Sequence, residues 1–206
     1  MAVLHKEYYK GAGNGQKNIR VNQDIRAYIE NHPDGDFSHV LAEDDRWQVF
    51  YHLSDMRTSI LNWYEWKEDA SILEVGGEFG ALTGLLCEHA AHVTTVEYGL
   101  FKAEAICRRY EDRHNLDIYA GNILDIEFEE EFDYIVMVGC LERQCGGSKS
   151  SKEYSEYLKK IVTLLKPNGR LLAAVDNRYG LRYFCGEVET YTGKAFCGYQ
   201  TLSTGR

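Results

Sequence analysis

Three things are scarce in this 206-residue chain. No window approaches the roughly 18 consecutive apolar residues that a membrane-spanning helix needs. The N-terminal stretch MAVLHKEYYKGAGNGQ also lacks the apolar core of a signal peptide. Basic charge is in deficit: 23 Lys and Arg against 32 Asp and Glu leave a formal net charge of −9. Phosphate backbones are bound by clustered cations, so nucleic acid is a poor partner for this composition. The pairs Arg108-Arg109 and Lys159-Lys160 fall in helical-looking stretches and read as solvated faces. Cys87, Cys107, Cys140, Cys145, Cys185 and Cys197 never form a C-x-x-C pair and have no metal-like spacing to histidine. No structural metal site is expected, and a reduced, cytoplasmic protein is the economical reading.

What is present suits a globular domain: 44% hydrophobic residues and a mean hydropathy of −0.42. Residues 1–45 are rich in Gly, Asn, Asp and His, with one short helical pattern around Ile25 to Ile29. They are expected to form a partly irregular N-terminal extension, with the domain proper over 46–206. Trp47-Gln48-Val49-Phe50-Tyr51 reads as extended. Ser54-Asp55 then has the chemistry of a helix cap, before Met56, Ile60, Leu61 and Trp63-Tyr64 at helical spacing.

Beyond Asp69 short apolar runs alternate with helical patterns. The runs are 71–75, 92–97, 116–120, 132–138 and 170–175; the helical patterns cover about 81–91, 100–115 and 152–165, the last stopping at Pro167-Asn168-Gly169. The run FDYIVMV at 132–138 is too apolar for a half-exposed strand. Five strands interleaved with helices predict an α/β fold with a mostly parallel sheet covered on both faces. The acidic run EFEEEFD at 127–133 reads as a solvated connection.

Ligands of such sheets bind beyond the carboxyl ends of the strands. After the first strand comes Glu74-Val75-Gly76-Gly77-Glu78-Phe79-Gly80, where glycines permit a tight turn and close approach of a ligand. Glu97 ends the second strand, where a carboxylate can accept both hydroxyls of an adenosine ribose. Gly121-Asn122-Ile123 follows the third, where a side-chain oxygen and a backbone amide can face an adenine. Each feature also has a plain structural reading, as a turn or a cap.

In this order the three features resemble the class I S-adenosylmethionine-dependent methyltransferases, over roughly residues 46–185. That family has E/D-x-G-x-G-x-G after strand one, an acid ending strand two and an acid or amide after strand three. The resemblance implies a Rossmann-like fold and S-adenosylmethionine as cofactor. It assigns Glu74, Gly76 and Gly80 to the methionine end, Glu97 to the ribose, Asn122 and Ile123 to the adenine, and Gly139 to the place beneath the reactive sulfur; Gly77 is counted with the cofactor-binding turn, where it eases the backbone beside position 78. Tyr51 and Arg57, ahead of the first strand, are expected to close over the cofactor. The family's remaining glycine is replaced by Glu78, whose carboxylate either pairs with the cofactor's ammonium or repels its carboxylate. The stretches RWQVFYHLS at 46–54, LKPNG at 165–169 and DNRYGLRYF at 176–184 look like a bacterial subgroup associated with glycosyltransferases and cell-surface polysaccharide synthesis.

Methyl transfer to a hydroxyl calls for in-line alignment and a general base. Candidates at the strand ends are Glu142, Asp176 and Asn177, with Arg178 and Tyr179 to orient an acceptor and His52 able to reach over the pocket. Their plain readings are a surface ion pair of Glu142 with Arg143, a turn at 176–177 and a packing histidine. The expected function is S-adenosylmethionine-dependent methyl transfer to a small-molecule or saccharide hydroxyl, without a metal. One alternative is a methyltransferase-like interaction module without catalysis, to which Glu78 lends support. A nucleotide-binding oxidoreductase is the other; its G-x-G-x-x-G would need glycine at position 78. Too little chain follows Val175 for the strands that normally close this sheet. The domain is therefore expected to be the incomplete front part of a longer polypeptide, its uncovered edge open or used in a homodimer.

Overall fold

The computed structural model describes residues 1–11, 19–141, 151–177, 179–188 and 195. Strands β2 (Ser71–Val75), β3 (His92–Glu97), β4 (Leu116–Ala120) and β5 (Phe132–Val138) lie where the apolar runs predict them. They form the centre of a six-stranded sheet in the order β1-β4-β3-β2-β5-β6, with every neighbouring pair parallel. This is the Rossmann-like α/β arrangement expected of the sequence. Two consecutive crossovers, β2 to β3 to β4, run one way; the chain then returns to place β5 on the far side of β2. The reversal opens a crevice at the carboxyl ends of β2 and β5.

The alternation of side chains explains the two layers. Ile72, Val93, Ile118 and Val136 face helices α4 (Thr83–His89) and α5 (Leu100–Arg109). Leu73, Val75, Val96, Ile135 and Met137 face the opposite way, toward Tyr157 and Ile161 of α6 (Ser151–Val162). Both faces are buried, as a parallel sheet requires. Within this core Cys87 is buried, and desolvation pushes its thiol up to about 12.

The structure departs from expectation in four places. Residues 3–5 of the presumed extension are strand β1 (Val3–His5), paired with β4 in register Val3↔Asp117 to His5↔Tyr119. The same stretch supplies α1 (Ile19–Asn31) and α2 (Ser38–Glu43), so it is far more ordered than its composition suggests. Residues 47–53 are not extended but form helix α3 (Trp47–Leu53), because Val49 and Leu53, one turn apart, bury together against Ile25, Ile29 and Phe37. Ser54 does cap, accepting a hydrogen bond from Met56 N, but the element it starts is a short 3₁₀ helix (Asp55–Ile60) that leaves Met56 and Trp63 exposed. Finally, α6 ends at Val162 and β6 (Leu165–Ala174) begins ahead of Pro167, with Asn168 at φ 69° and a register shift between Phe132 and Tyr134. Proline is tolerated there because β6 is the edge strand among the described residues.

The acidic run also resolves differently at its last member. Asp133 lies inside β5 and is buried, with Lys67 Nζ and Lys166 Nζ each at 2.8 Å and Ser71 donating both its amide and its hydroxyl. Burial pushes its carboxyl upward, but the two lysines and Ser71 outweigh it and hold the group well below its ordinary range.

Candidate active site

The turn after β2 is built on one close contact. Gly76 has φ 78°, and a Cβ there would lie 2.6 Å from the Cβ of Cys140, the residue after Gly139 at the end of β5. Only glycine lets the turn rest on that strand end. Gly76 N donates to Val96 O at 2.8 Å, Cys140 Sγ donates to Val75 O at 2.9 Å, and Gly80 N closes the turn onto Gly77 O at 2.8 Å. Glu78 keeps a glycine-like backbone at φ 52°.

Three buried carboxylates gather around this turn: Glu74, Glu78 and Glu97. Glu74 Oε2 accepts from Thr83 Oγ1 at 2.6 Å and Thr95 Oγ1 at 2.8 Å. Burial raises its pKa against those bonds and the field of Arg57. Glu97 Oε2 accepts from Glu78 N at 2.9 Å and Oε1 from Gly99 N at 3.1 Å. Burial raises its pKa as well, against the opposing pull of Lys102. Beside it, Gly121 N donates to Glu97 O at 3.0 Å, and Asn122 Oδ1 accepts from Leu124 N at 3.0 Å to start a short 3₁₀ turn containing buried Ile123. The structure therefore brings Glu97, Asn122 and Ile123 to neighbouring strand ends, beside the glycine turn.

Helix α3 and the 3₁₀ turn after it lean over the crevice. A Cβ at Gly139 (φ 65°) would lie 3.2 Å from the Tyr51 hydroxyl, and the Arg57 guanidinium sits 4.1 Å over the Tyr51 ring. Arg57 Nη2 reaches Val138 O at 3.5 Å. Arg57, Glu74, Val75, Gly76, Gly77, Leu82, Val136 and Val138 line a single crevice. The crevice is narrow, and its lining includes both a guanidinium and a carboxylate, the charges that complement a zwitterionic amino-acid moiety.

His52 does not enter the crevice. It is buried with Nε2 3.3 Å from Glu78 Oε2, and its ring meets Phe79 edge-on at 5.0 Å. The carboxylate of Glu78 is engaged by His52 and by Lys102 Nζ at 3.7 Å. Asp176 pairs with Arg182 at 2.5 Å on an exposed surface, and Asn177 Oδ1 accepts from Tyr179 N at 3.0 Å in a turn before α7 (Leu181–Phe184). The surface ion pair and the turn are the plain readings of 176–177. Glu142 and Arg178, with Arg143, lie outside the described residues.

Sequence reasoning misses Lys102, Cys140, Thr83 and Thr95. The first carries a faint signal, as a lysine in the first turn of a helix otherwise apolar on that side. Cys140 reads only as a small hydrophobe in an apolar stretch. Tyr8 is missed too; its carbonyl lies 2.7 Å from where a Cβ on Gly121 would be, so the segment after β1 passes over the Gly121-Asn122 turn.

Known proteins fit this geometry. Residues 73–171 match the family model described as a methyltransferase domain. Among curated proteins, the ribosomal RNA small subunit methyltransferase A of Syntrophus aciditrophicus is 35% identical over 81 residues, which is 39% of this chain and 29% of that protein. An uncharacterized methyltransferase of Staphylococcus carnosus is 25% identical over 134 residues, 65% of this chain and 58% of its own. The chain therefore spans less than two thirds of the length of either. Among solved structures, the phosphoethanolamine N-methyltransferase 1 of Haemonchus contortus, in complex with phosphoethanolamine and S-adenosylhomocysteine, superposes with a TM-score of 0.56 at 14% identity. The match covers 94% of this chain and 39% of that one. The N-methyltransferase NodS of Bradyrhizobium japonicum WM9 gives 0.50 at 21% identity over 68% of this chain and 74% of that one. Family model and fold agree: residues 73–171 match a methyltransferase domain, and the sheet has the Rossmann-like arrangement of the methyltransferases on which it superposes.

Proposed function

We propose that the chain binds S-adenosylmethionine in the crevice at the ends of β2, β3 and β5 and directs its methyl group to a small-molecule acceptor. The observation that carries this reading is the convergence of Glu74, Arg57 and Glu97 on the Gly76 to Gly80 turn. Glu74 would hold the ammonium and Arg57 the carboxylate of the methionine moiety. Glu97 would turn its free lone pairs to the ribose hydroxyls, and Asn122 with Ile123 would frame the adenine. When bound, the cofactor supplies an electrophilic methyl on sulfur. The chain's own task is to align the acceptor in line with it and to exclude water, and Tyr51 over Gly139 would serve both.

A saccharide-type hydroxyl is the acceptor we favour, on the likeness of 46–54 and 176–184 to the polysaccharide-associated subgroup. Asp176, which follows β6 at the carboxyl edge of the sheet, is the base proposed among the described residues, and Asn177 would orient the acceptor. The relatives named for ribosomal RNA methylation point to another acceptor, but a net charge of −9 disfavours a polyanion. Residues 1–45 serve this reading as an extension of the domain, and a homodimer through the β6 edge belongs to the same proposal. Isothermal calorimetry with S-adenosylmethionine tests the cofactor site: micromolar binding supports catalysis, and no binding to the folded protein would leave an interaction module instead. Transfer of labelled methyl groups to nucleotide sugars, glycans and ribosomal RNA then tests the acceptor, and label on RNA alone would overturn the saccharide reading.

A further inference from the structure

Glu78 occupies the place of a motif glycine, and by sequence it looks like damage to a cofactor site. Its surroundings say otherwise. The backbone at φ 52° preserves the left-handed turn that a glycine would give, and its amide still donates to Glu97. The side chain is almost fully buried, with one carboxylate oxygen 3.3 Å from His52 Nε2 on α3 and the other 3.7 Å from Lys102 Nζ on α5. Lys102 also lies 5.4 Å over the ring of Phe79, the neighbour of Glu78.

The element reached through His52 is the one that roofs the crevice. Tyr51, the preceding residue, covers Gly139, and the same helix runs through the Ser54 cap into the 3₁₀ turn that carries Arg57. A second fastening runs through the Arg109 side chain, whose Nη1 donates to His52 O and to Phe79 O, each at 2.9 Å. Helix α3 is thus tied to the glycine turn at two adjacent residues, once through Arg109 and once through Glu78.

We infer that Glu78 is a positioning residue, a buried latch from the glycine turn to helix α3 that holds Tyr51 and Arg57 over the cofactor crevice. A glycine in its place would keep the turn and lose the tie. A strained left-handed backbone at a non-glycine residue is then sustained by the contacts its side chain makes. The inference rests on the proposed cofactor site for its consequence in binding, while the latch itself is a property of the fold.

The test is to restore the family's glycine. Glu78→Gly should weaken S-adenosylmethionine binding about ten-fold by calorimetry, the range expected when two sites are coupled. It should also accelerate amide exchange selectively over residues 47–57. His52→Ala, which leaves the turn's sequence intact, should do the same and serves if Glu78→Gly does not fold. The double variant should be no worse than either single one, and Glu78→Gln should recover part of the loss by keeping a hydrogen-bonding side chain. A merely structural role would accelerate exchange throughout the sheet without this local signature. Unchanged exchange over 47–57, or glycine that tightens cofactor binding, would overturn the latch. If the unaltered protein binds no S-adenosylmethionine, the proposed function fails while the exchange experiment still reads the latch.

Discussion

The two ends of the sheet handle buried carboxylates in opposite ways. At the amino end, Asp133 has four donors and is held far into its charged form, joining β2, β5 and β6 through Ser71, Lys67 and Lys166. At the carboxyl end, Glu74 and Glu97 have hydroxyls and amides for company, and burial pushes both toward the neutral form. The first arrangement is saturated and has nothing left to offer a ligand. The second leaves its carboxylates with neutral donors, which is the end that the proposed cofactor site uses.

Mutation should separate the two ends. Asp133→Ala is expected to cost about 3 kcal/mol of stability, since it strands the Ser71 amide and removes a buried charge from its partners. Urea unfolding measures this, and the affinity of the remaining folded protein for S-adenosylmethionine should be unchanged. Glu97→Ala should do the reverse, raising the dissociation constant about 100-fold while shifting the urea midpoint less than Asp133→Ala does. Equal effects of both changes on affinity would erase the distinction.

Glycine provides a finer comparison. Gly35 and Gly76 share nearly the same backbone, φ 75° and 78°, but a Cβ meets nothing within 4 Å at Gly35 and strikes Cys140 at Gly76. Gly35→Ala should therefore cost only the left-handed backbone term, about 1 kcal/mol. Gly76→Ala should cost more and also weaken cofactor binding. Thermal melts of the two variants side by side test this, and equal losses would mean that the contact with Cys140 yields easily.

The smallest effect is in the pH dependence of stability. Asp133, depressed in the fold, contributes stability that is full above its ordinary 3.8 and is lost as pH falls through its lower folded value. Glu74 and Glu97, raised in the fold, weaken it as pH climbs from 4.5 toward their folded values. Urea midpoints measured between about pH 2 and 7 should show Asp133→Asn flattening the acid side and Glu97→Gln flattening the other.

The same contrast explains what could be read in the sequence. The four central strands are legible to the residue because burial makes them short runs rich in apolar and β-branched residues between glycine turns and helical patterns. Glu74, Glu97 and Asn122 are legible because each stands at the end of such a run. Helix α3 is not: Trp47, Val49, Phe50 and Tyr51 favour strands, and the choice is made by Ile25, Ile29 and Phe37, which are distant in sequence. Asp133 is lost in an acidic run because its two lysines are distant in sequence, Lys67 ahead of β2 and Lys166 at the start of β6. Glu78 looks like an error for the same reason, its partner being 26 positions earlier on a helix that local sequence does not announce.

Strand β1 sets an order of assembly. His5 reaches its partner Asp117 across 112 positions of chain. During synthesis β1 emerges long before β4, so it must wait in solution until β4 has left the ribosome and docked on β3. A purification tag or fused protein attached ahead of Met1 would trail from a strand that must still thread onto the sheet edge. The Met1 amino group itself comes within 2.6 Å of His114 Nδ1 in the finished fold.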